Sequence, residues 1–225
     1  MLLSVDWDFY SGTLKHVFDA PLWGTPDREF DRLERWRERA RKRDFQANGW
    51  EVLASDFPLF GNPRELLAYA GLPTFVAWSH AHAWEWLERY PNRDVLNFDS
   101  HHDLYSKSGD FARVRPGNWA GLALKRGLVL HYTCVYPSWH QEVRVSEGYD
   151  LERTWEEVRA HLDSQLWPRV TLSRASALPR PAEVESLLLV QSPAWTSPAH
   201  DEAFLDVGKE LRAEEISAPH RRPWS

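Results

Sequence analysis

Aspartate and histidine residues cluster at points where the sequence predicts that a strand ends. The densest cluster is the pentapeptide 99–103, Asp-Ser-His-His-Asp, which follows the apolar segment 94–98. Asp99, His101 and Asp103 alternate along the chain, so their side chains project to one side of an extended backbone. Two carboxylates and an imidazole that converge after a buried strand are costly unless a positive charge neutralises them. The pentapeptide therefore predicts a divalent-cation site, with a surface turn as the alternative.

Two further clusters carry ligands of the same type. Asp6 and Asp8 share one face at the end of the strand predicted for residues 1–9. His80 and His82 follow a second apolar segment. Taken singly, an Asp-x-Asp pair is more often a turn former, and the two histidines could simply begin a helix. Ligands in parallel α/β sheets bind beyond the carboxyl ends of the strands, so three such clusters in one sheet predict a shared site.

Strand-like and helical segments alternate along the chain. Apolar runs predict strands at residues 1–9, 72–79, 94–98, 128–136 and 184–190. Apolar spacing predicts helices at residues 63–70, 83–90, 118–126, 151–166 and 199–215. A further helix is predicted to begin near Thr25, with an apolar face made of Phe30, Leu33, Trp36 and Ala40. This alternation predicts a three-layer α/β/α fold with a mostly parallel sheet.

Length and composition narrow the class of protein. The chain has 225 residues, 43% of them hydrophobic, and we expect one domain over 1–218 with a loose tail at 219–225. A net charge of −6 argues against general nucleic-acid binding. The single cysteine, Cys134, excludes a disulfide scaffold and is expected to be an inert buried thiol. Because the sequence shows neither a signal peptide nor a membrane span, we expect a soluble cytoplasmic protein with no membrane partner.

The clusters resemble the metal-binding signatures of the ureohydrolase superfamily, which includes arginase and agmatinase. The pentapeptide resembles the Asp-x-His-x-Asp signature, and residues 4–8 resemble Ser-x-Asp-x-Asp. Residues 75–80 fall where the family has a strand that ends in Gly-Gly-Asp-His. The sequence of residues 97–104, together with Asn118-Trp119 and residues 136–139, most resembles an uncharacterised arginase-related branch of the superfamily.

The resemblance implies an arginase-like fold with two metal ions per chain, usually Mn²⁺, with Zn²⁺ or Fe²⁺ as alternatives. The ligands that it implies are Asp6 and Asp99 as bridges, His80 and Asp103 for one ion, and Asp8 and His101 for the other. Such a pair of ions lowers the pKa of a bridging water, and the resulting hydroxide attacks a trigonal carbon. An oxygen-rich ligand set with two imidazoles also suits manganese better than copper.

This chain departs from the family's pattern in motif order and in catalytic residues. The Asp-x-Asp strand precedes the pentapeptide instead of following it, so the first strand would have to lie beside the strand that ends at Asp99. The family's proton-shuttling histidine corresponds to Ala120, and Tyr105 stands in place of an asparagine. Gln191 replaces the glutamate that helps to hold a guanidinium, and a neutral amide cannot pair with that group as a carboxylate does. Arginase activity itself is therefore not expected.

Other histidines are weaker candidates. His82 and His140 are the candidates for acid–base catalysis, although a surface position is the simpler interpretation of His140. His102 either supports the ligands or points away from them. His131 lies in an apolar strand, where we expect a buried histidine with satisfied hydrogen bonds.

Aromatic residues near the clusters predict a pocket wall. Trp7, Trp78, Trp84 and Trp119 are close to the clusters in sequence, and aromatic walls favour a cationic or planar substrate. Tyr105, Asn118 and Gln191 are the further pocket candidates.

We therefore predict a manganese-dependent hydrolase that acts on a guanidino, amidine or linear amide substrate, a small molecule. One alternative is a deacetylase-like hydrolase with a single zinc held by Asp99, His101 and one N-terminal aspartate. Another is a non-catalytic binding or scaffold protein that keeps the fold. Many members of the superfamily form trimers or hexamers, which makes a homo-oligomer a further expectation.

Overall fold

Seven strands form one sheet at the centre of the computed structural model, which describes residues 1–14, 31–106, 112–174 and 177–216. In chain order they are β1 (Leu2–Asp6), β2 (Thr74–Ala77), β3 (Arg93–Phe98), β4 (Val129–Tyr136), β5 (Val170–Arg174), β6 (Ser186–Val190) and β7 (Glu214–Glu215). The order across the sheet is β5-β4-β3-β1-β6-β2-β7, and every pair is parallel. The expected place of the first strand beside the strand before Asp99 is confirmed, because β1 pairs with β3.

Helices cover both faces of the sheet. They are α1 (Arg32–Arg43), α2 (Ala83–Arg89), α3 (Trp119–Lys125), α4 (Leu151–His161) and α5 (Asp201–Glu210). Successive strand residues point to opposite faces. Leu2 and Leu188 accordingly pack in the core of α2, α3 and α4, whereas Leu3 and Leu187 pack in the core of α5. This confirms the three-layer α/β/α fold.

The predicted elements differ from the observed ones at several ends. The sequence pattern missed β5 and the two-residue strand β7, and the helices predicted at 151–166 and 199–215 end earlier, at His161 and Glu210. Both missed strands lie at edges of the sheet, where one side lacks a partner strand and a short polar segment suffices.

One residue of the apolar face predicted for the first helix was wrong. Leu33 is 46% exposed, whereas Trp36 and Ala40 are buried as predicted and Arg32 is buried as well. Arg32 can be buried because its guanidinium donates to the backbone oxygens of Pro193 and Thr196. The predicted helix start near Thr25, the position of Phe30 and the predicted tail at 219–225 lie outside the described residues.

Within the described ranges, no helix combines the length and the apolar character that a bilayer crossing requires.

Candidate metal centre

The carboxyl ends of β1, β2 and β3 meet at one edge of the sheet and bring the three clusters together. The Nδ1 atom of His80 lies 3.0 Å from Asp6 Oδ2, 3.1 Å from Asp99 Oδ2 and 3.0 Å from Asp103 Oδ2. All four side chains are buried. Residues that are up to 97 positions apart in the chain therefore share one small volume.

A second group of ligand atoms adjoins the first. The Nδ1 atom of His101 lies 3.0 Å from Asp8 Oδ2 and 3.6 Å from Asp99 Oδ1. The two groups that could hold a metal ion are Asp6–His80–Asp99 and Asp8–Asp99–His101, and within each group the ligand atoms lie within 4.8 Å of one another. Asp99 belongs to both groups, and each of its oxygens faces a different histidine.

The local backbone orients three of these carboxylates. Asp6 Oδ1 accepts a hydrogen bond from the Asp8 amide, Asp8 Oδ1 accepts one from the Ser100 amide, and Asp99 Oδ1 accepts one from the His101 amide. Each Oδ2 atom is thereby turned toward an imidazole or toward the other carboxylates. The Asp-x-Asp pair therefore does act as a turn former, and this role helps to aim its free oxygens at the shared site.

Buried side chains support the ligands from behind. The Ser4 hydroxyl is hydrogen-bonded to His80 Nε2 at 2.9 Å, so the other ring nitrogen faces the carboxylates. Asn97 Nδ2 donates to Asp99 Oδ2 at 2.9 Å, and Trp119 Nε1 donates to Asp103 Oδ2 at 2.7 Å. Such partners fix the orientation of metal ligands in proteins.

Helix α3 approaches the Asp103 segment closely, and a glycine allows this approach. The Ala120 amide donates to the Asp103 carbonyl at 3.1 Å. A Cβ atom added at Gly121 would lie 2.0 Å from the backbone oxygen of Leu104, which is far inside van der Waals contact. The absence of a side chain at Gly121 therefore lets Trp119 reach Asp103.

Two buried atoms of the site make no hydrogen bond in the part of the chain that the structure describes. They are His80 Nδ1, although three carboxylate oxygens surround it, and Asp8 Oδ2. Buried polar atoms without a partner are rare in folded proteins and call for an explanation. A cation held among these atoms would satisfy both, so the residues present fit a metal ion.

The electrostatics of the site point the same way. Burial, followed by the charge of neighbouring carboxylates, raises the pKa of Asp6 and of Asp8 and raises that of Asp103 to about 7. Burial also acts to raise the pKa of Asp99, but contacts with His101 and His80 outweigh it, and that pKa is lowered. Four carboxylates that cannot all ionise freely in one buried volume favour a divalent cation as counter-charge.

The two histidines of the site have raised pKa values for a related reason. Burial acts to lower the pKa of His80 and of His101, but the adjacent carboxylates outweigh it and raise both pKa values well above the usual value. Without a cation, protons on His80 and His101 therefore supply the positive charge that balances the carboxylates.

The remaining histidines lie in different surroundings. His82 is buried but belongs to neither ligand group. His102 turns away from the ligands, since its Nδ1 accepts a hydrogen bond from the Leu104 amide and its ring packs on Tyr105. The expectation of a buried His131 was wrong: its side chain is 66% exposed and pairs with Asp94, and the preceding residue of β4, Leu130, is exposed as well.

The expectation of a surface position for His140 was also wrong. The residue is 3% exposed, and its ring packs against Trp139 and Tyr136. Its Nδ1 donates to the carbonyl of Glu147 at 2.6 Å, and burial lowers the pKa of His140 to about 4.

The predicted tryptophan wall does not form. Trp7 packs in the core against Tyr10 and Phe204, and Trp119 is fully buried behind Asp103. The indole N–H of Trp78 donates to the Glu215 carboxylate, and that of Trp84 donates to the Glu88 carboxylate.

The other pocket candidates have structural partners as well. Tyr105 packs between His102 and His161. The Asn118 side chain bridges backbone groups of residues 113 and 115, and the Gln191 amide donates to Asp201 at 3.3 Å. None of these contacts involves the six metal-ligand candidates.

Two residues that the sequence pattern missed contact the site. The ring of Trp195 lies 4.4 Å from that of His101, and the Ser192 hydroxyl donates to Asp6 Oδ2. Both follow β6, the strand between β1 and β2, so a correct strand order would have identified this segment. The sequence alone did not provide that order.

Comparisons with protein-family models, with curated proteins and with solved structures found no match to this chain. The resemblance to ureohydrolases therefore depends on the motifs alone.

Proposed function

We propose that this chain is a hydrolase with two divalent metal ions that cleaves a carbon–nitrogen bond outside the peptide backbone. The observation that carries the proposal is the position of Asp99, whose two carboxylate oxygens face His80 and His101 in adjacent ligand groups. A carboxylate shared in this way suits a pair of cations rather than a lone structural ion. The motif resemblance supports the same reaction class.

The ligand set favours Mn²⁺ because carboxylate oxygens outnumber imidazole nitrogens. One ion would be held by Asp6, His80, Asp99 and Asp103, and the other by Asp8, Asp99 and His101. Asp6, which the resemblance implies as a second bridge, belongs to only the first ligand group. When bound, such a pair supplies Lewis acidity that lowers the pKa of water and stabilises charge developing on the substrate.

The substrate approaches the centre from the side of His101. The side chain of His101 is 26% exposed, whereas that of His80 is 2% exposed, so the second ligand group is nearer to solvent. Trp195 is partly exposed beside His101. In the described part of the chain, the Trp195 indole N–H donates no hydrogen bond. Its ring face and free N–H suit a planar amide, amidine or guanidino group.

We assign the role of proton acceptor to His140. Because its Nδ1 donates to the Glu147 carbonyl, the neutral ring carries its lone pair on Nε2. Its lowered pKa, caused by burial, keeps the ring neutral near pH 7. The Gln191 side-chain amide donates to Asp201 and, being neutral, cannot pair with a guanidinium as a carboxylate does. Arginase activity is therefore not part of the proposal.

A substrate screen tests the proposal. The Mn²⁺-loaded protein is incubated with guanidino compounds, amidines and linear amides, and release of ammonia or amine is measured. We expect turnover of at least one class, loss of turnover after chelation, and a KM about fivefold higher in the Trp195→Ala variant because stacking contributes about 1 kcal/mol. A protein that holds two Mn²⁺ ions but hydrolyses none of these compounds would favour the non-catalytic alternative.

The single-zinc alternative has an observation of its own. The Asp8–Asp99–His101 group contains the ligands that this alternative needs. Elemental analysis of the purified protein separates the two: two manganese ions per chain support the binuclear centre, and one zinc ion supports the alternative.

A further inference from the structure

The turn after β6 lies against the metal-ligand candidates and is tightly held. Gln191 follows β6, and its backbone N–H donates to the carbonyl of Ala77 at the end of β2. The Ser192 carbonyl accepts from the amides of Trp195 at 2.9 Å and Thr196 at 3.2 Å. Ser192 itself adopts a φ of 46°, a conformation that residues other than glycine rarely adopt. Residues 191–196 thus form one closed turn, called the β6 turn below.

The β6 turn places a hydroxyl on a metal-ligand candidate. The Ser192 hydroxyl donates to Asp6 Oδ2, the same oxygen that lies 3.0 Å from His80 Nδ1. The other oxygen of Asp6 accepts from the Asp8 amide at 3.1 Å. Both oxygens of Asp6 are therefore oriented by hydrogen bonds, and Ser192 provides the one to the oxygen that faces His80.

Arg32 fastens the turn from a helix far away in the sequence. Its Nε donates to the Pro193 carbonyl at 3.1 Å, and its Nη2 donates to the Thr196 hydroxyl at 2.9 Å. Its Nη1 pairs with Asp201. Arg32 is only 3% exposed, and a guanidinium is buried at this depth only when its donors are satisfied. The position of Ser192 is thereby coupled to helix α1.

We propose that the β6 turn, held by Arg32, is a positioning element of the metal centre and that Ser192 selectively supports the ion bound by Asp6. This inference rests on the proposed metal centre. Ser192 is a positioning residue, because it touches Asp6 and not the cation. Among the described residues, no hydrogen bond joins the Ser192 side chain to Asp8 or His101, so its removal should weaken the binding of one ion and leave the other in place.

Titration of the full-length protein with Mn²⁺, followed by the electron paramagnetic resonance signal of free and bound Mn²⁺, tests this proposal. In the Ser192→Ala variant we expect the affinity of one ion to fall about 10- to 100-fold, as for other partners that orient metal ligands, and the affinity of the second ion to stay close to that of the wild type. Ser192→Gly removes the same hydroxyl and relieves the positive φ, so it separates loss of the hydrogen bond from backbone strain. The Arg32→Lys variant keeps the charge but loses the fork of donors, and it should weaken the same ion.

Ser186→Ala is the matched control, because Ser186 is a fully buried serine at the start of β6, the end of the strand that lies away from the metal-ligand candidates. Its hydroxyl donates to the Pro73 carbonyl and touches no metal-ligand candidate. This control should leave both Mn²⁺ affinities unchanged. Equal Mn²⁺ binding by the wild type and both Ser192 variants, or an equal loss at both ions, would overturn the role of the turn while leaving the metal centre intact. A wild-type protein that binds no Mn²⁺ would overturn the metal centre itself and, with it, this inference.

Discussion

The Asp99→Asn variant is expected to lose both metal ions, with Mn²⁺ affinity reduced more than about 100-fold, beyond the loss typical of partners that merely orient ligands. Asp99 Oδ2 lies 3.1 Å from His80 Nδ1, and Oδ1 lies 3.6 Å from His101 Nδ1. An asparagine offers one acceptor oxygen and turns an N–H₂ donor toward the other group. Loss of one oxygen therefore disturbs both groups, and any hydrolytic activity should disappear with the ions. Mn²⁺ titration measures this effect directly.

Asp94→Asn is the matched control for this variant. Asp94 lies on β3, as close to the start of the strand as Asp99 is to its end, but its side chain is 58% exposed and pairs with His131. We expect Asp94→Asn to bind Mn²⁺ as the wild type does, since exposed ion pairs contribute little. If Asp99→Asn still bound two Mn²⁺ ions with wild-type affinity, Asp99 would not be a shared ligand.

The second large effect concerns pH. Without metal, the free energy of unfolding should fall as pH rises from 6.5 to 8.5. The pKa values of His80 and His101 are raised above their usual value by the adjacent carboxylates against the opposing effect of burial, and burial raises that of Asp103 to about 7. The native state therefore holds more protons than the unfolded state in this window, and each extra proton costs about 1.4 kcal/mol of stability per pH unit.

The other shifted groups do not reverse this sign. Burial lowers the pKa of His102 and of His140, but such groups add stability only as pH rises toward 6.5, below the window. The lowered pKa of Asp99 acts only below pH 3.8. In saturating Mn²⁺ the trend should disappear or reverse, because ions bind the deprotonated ligands and stabilise the native state by mass action.

Chemical denaturation at several pH values, with chelator and with Mn²⁺, checks this prediction. We expect the free energies of unfolding with chelator and with Mn²⁺ to diverge as pH rises. The metal-free protein should be less stable at pH 8.5 than at pH 6.5. Metal-free stability that stays constant or increases over this range would show that the buried cluster does not hold protons in place of cations.

The fold and the meeting of the three clusters could be predicted from the sequence because both depend on local patterns. Apolar runs predicted five of the seven strands, and the polar residues that follow three of them identified the edge of the sheet. The position of β1 beside β3 was implied by the motif resemblance with its order permuted, and the strand pairing agrees with it. Parallel strands keep their carboxyl ends at one edge whatever their order in the chain.

The walls of the site could not be predicted in this way, because they depend on which strands are neighbours. Trp119 was expected to face a substrate but lies behind Asp103, whereas Trp195 contacts His101 from a turn more than 90 residues away in the chain. His131 and His140 lie near opposite ends of one strand, and packing at each end decided their exposure. Neither the order of the strands nor the packing at the ends of β4 can be inferred from the local sequence.

Anomalous diffraction from crystals grown with Mn²⁺ tests the central claim most directly. The account predicts two anomalous peaks at the carboxyl edge of the sheet, with Asp99 in contact with both. The expected ligands are Asp6, His80 and Asp103 for one peak, and Asp8 and His101 for the other. A single peak that Asp99 does not share, or no peak among these residues at saturating Mn²⁺, would contradict it.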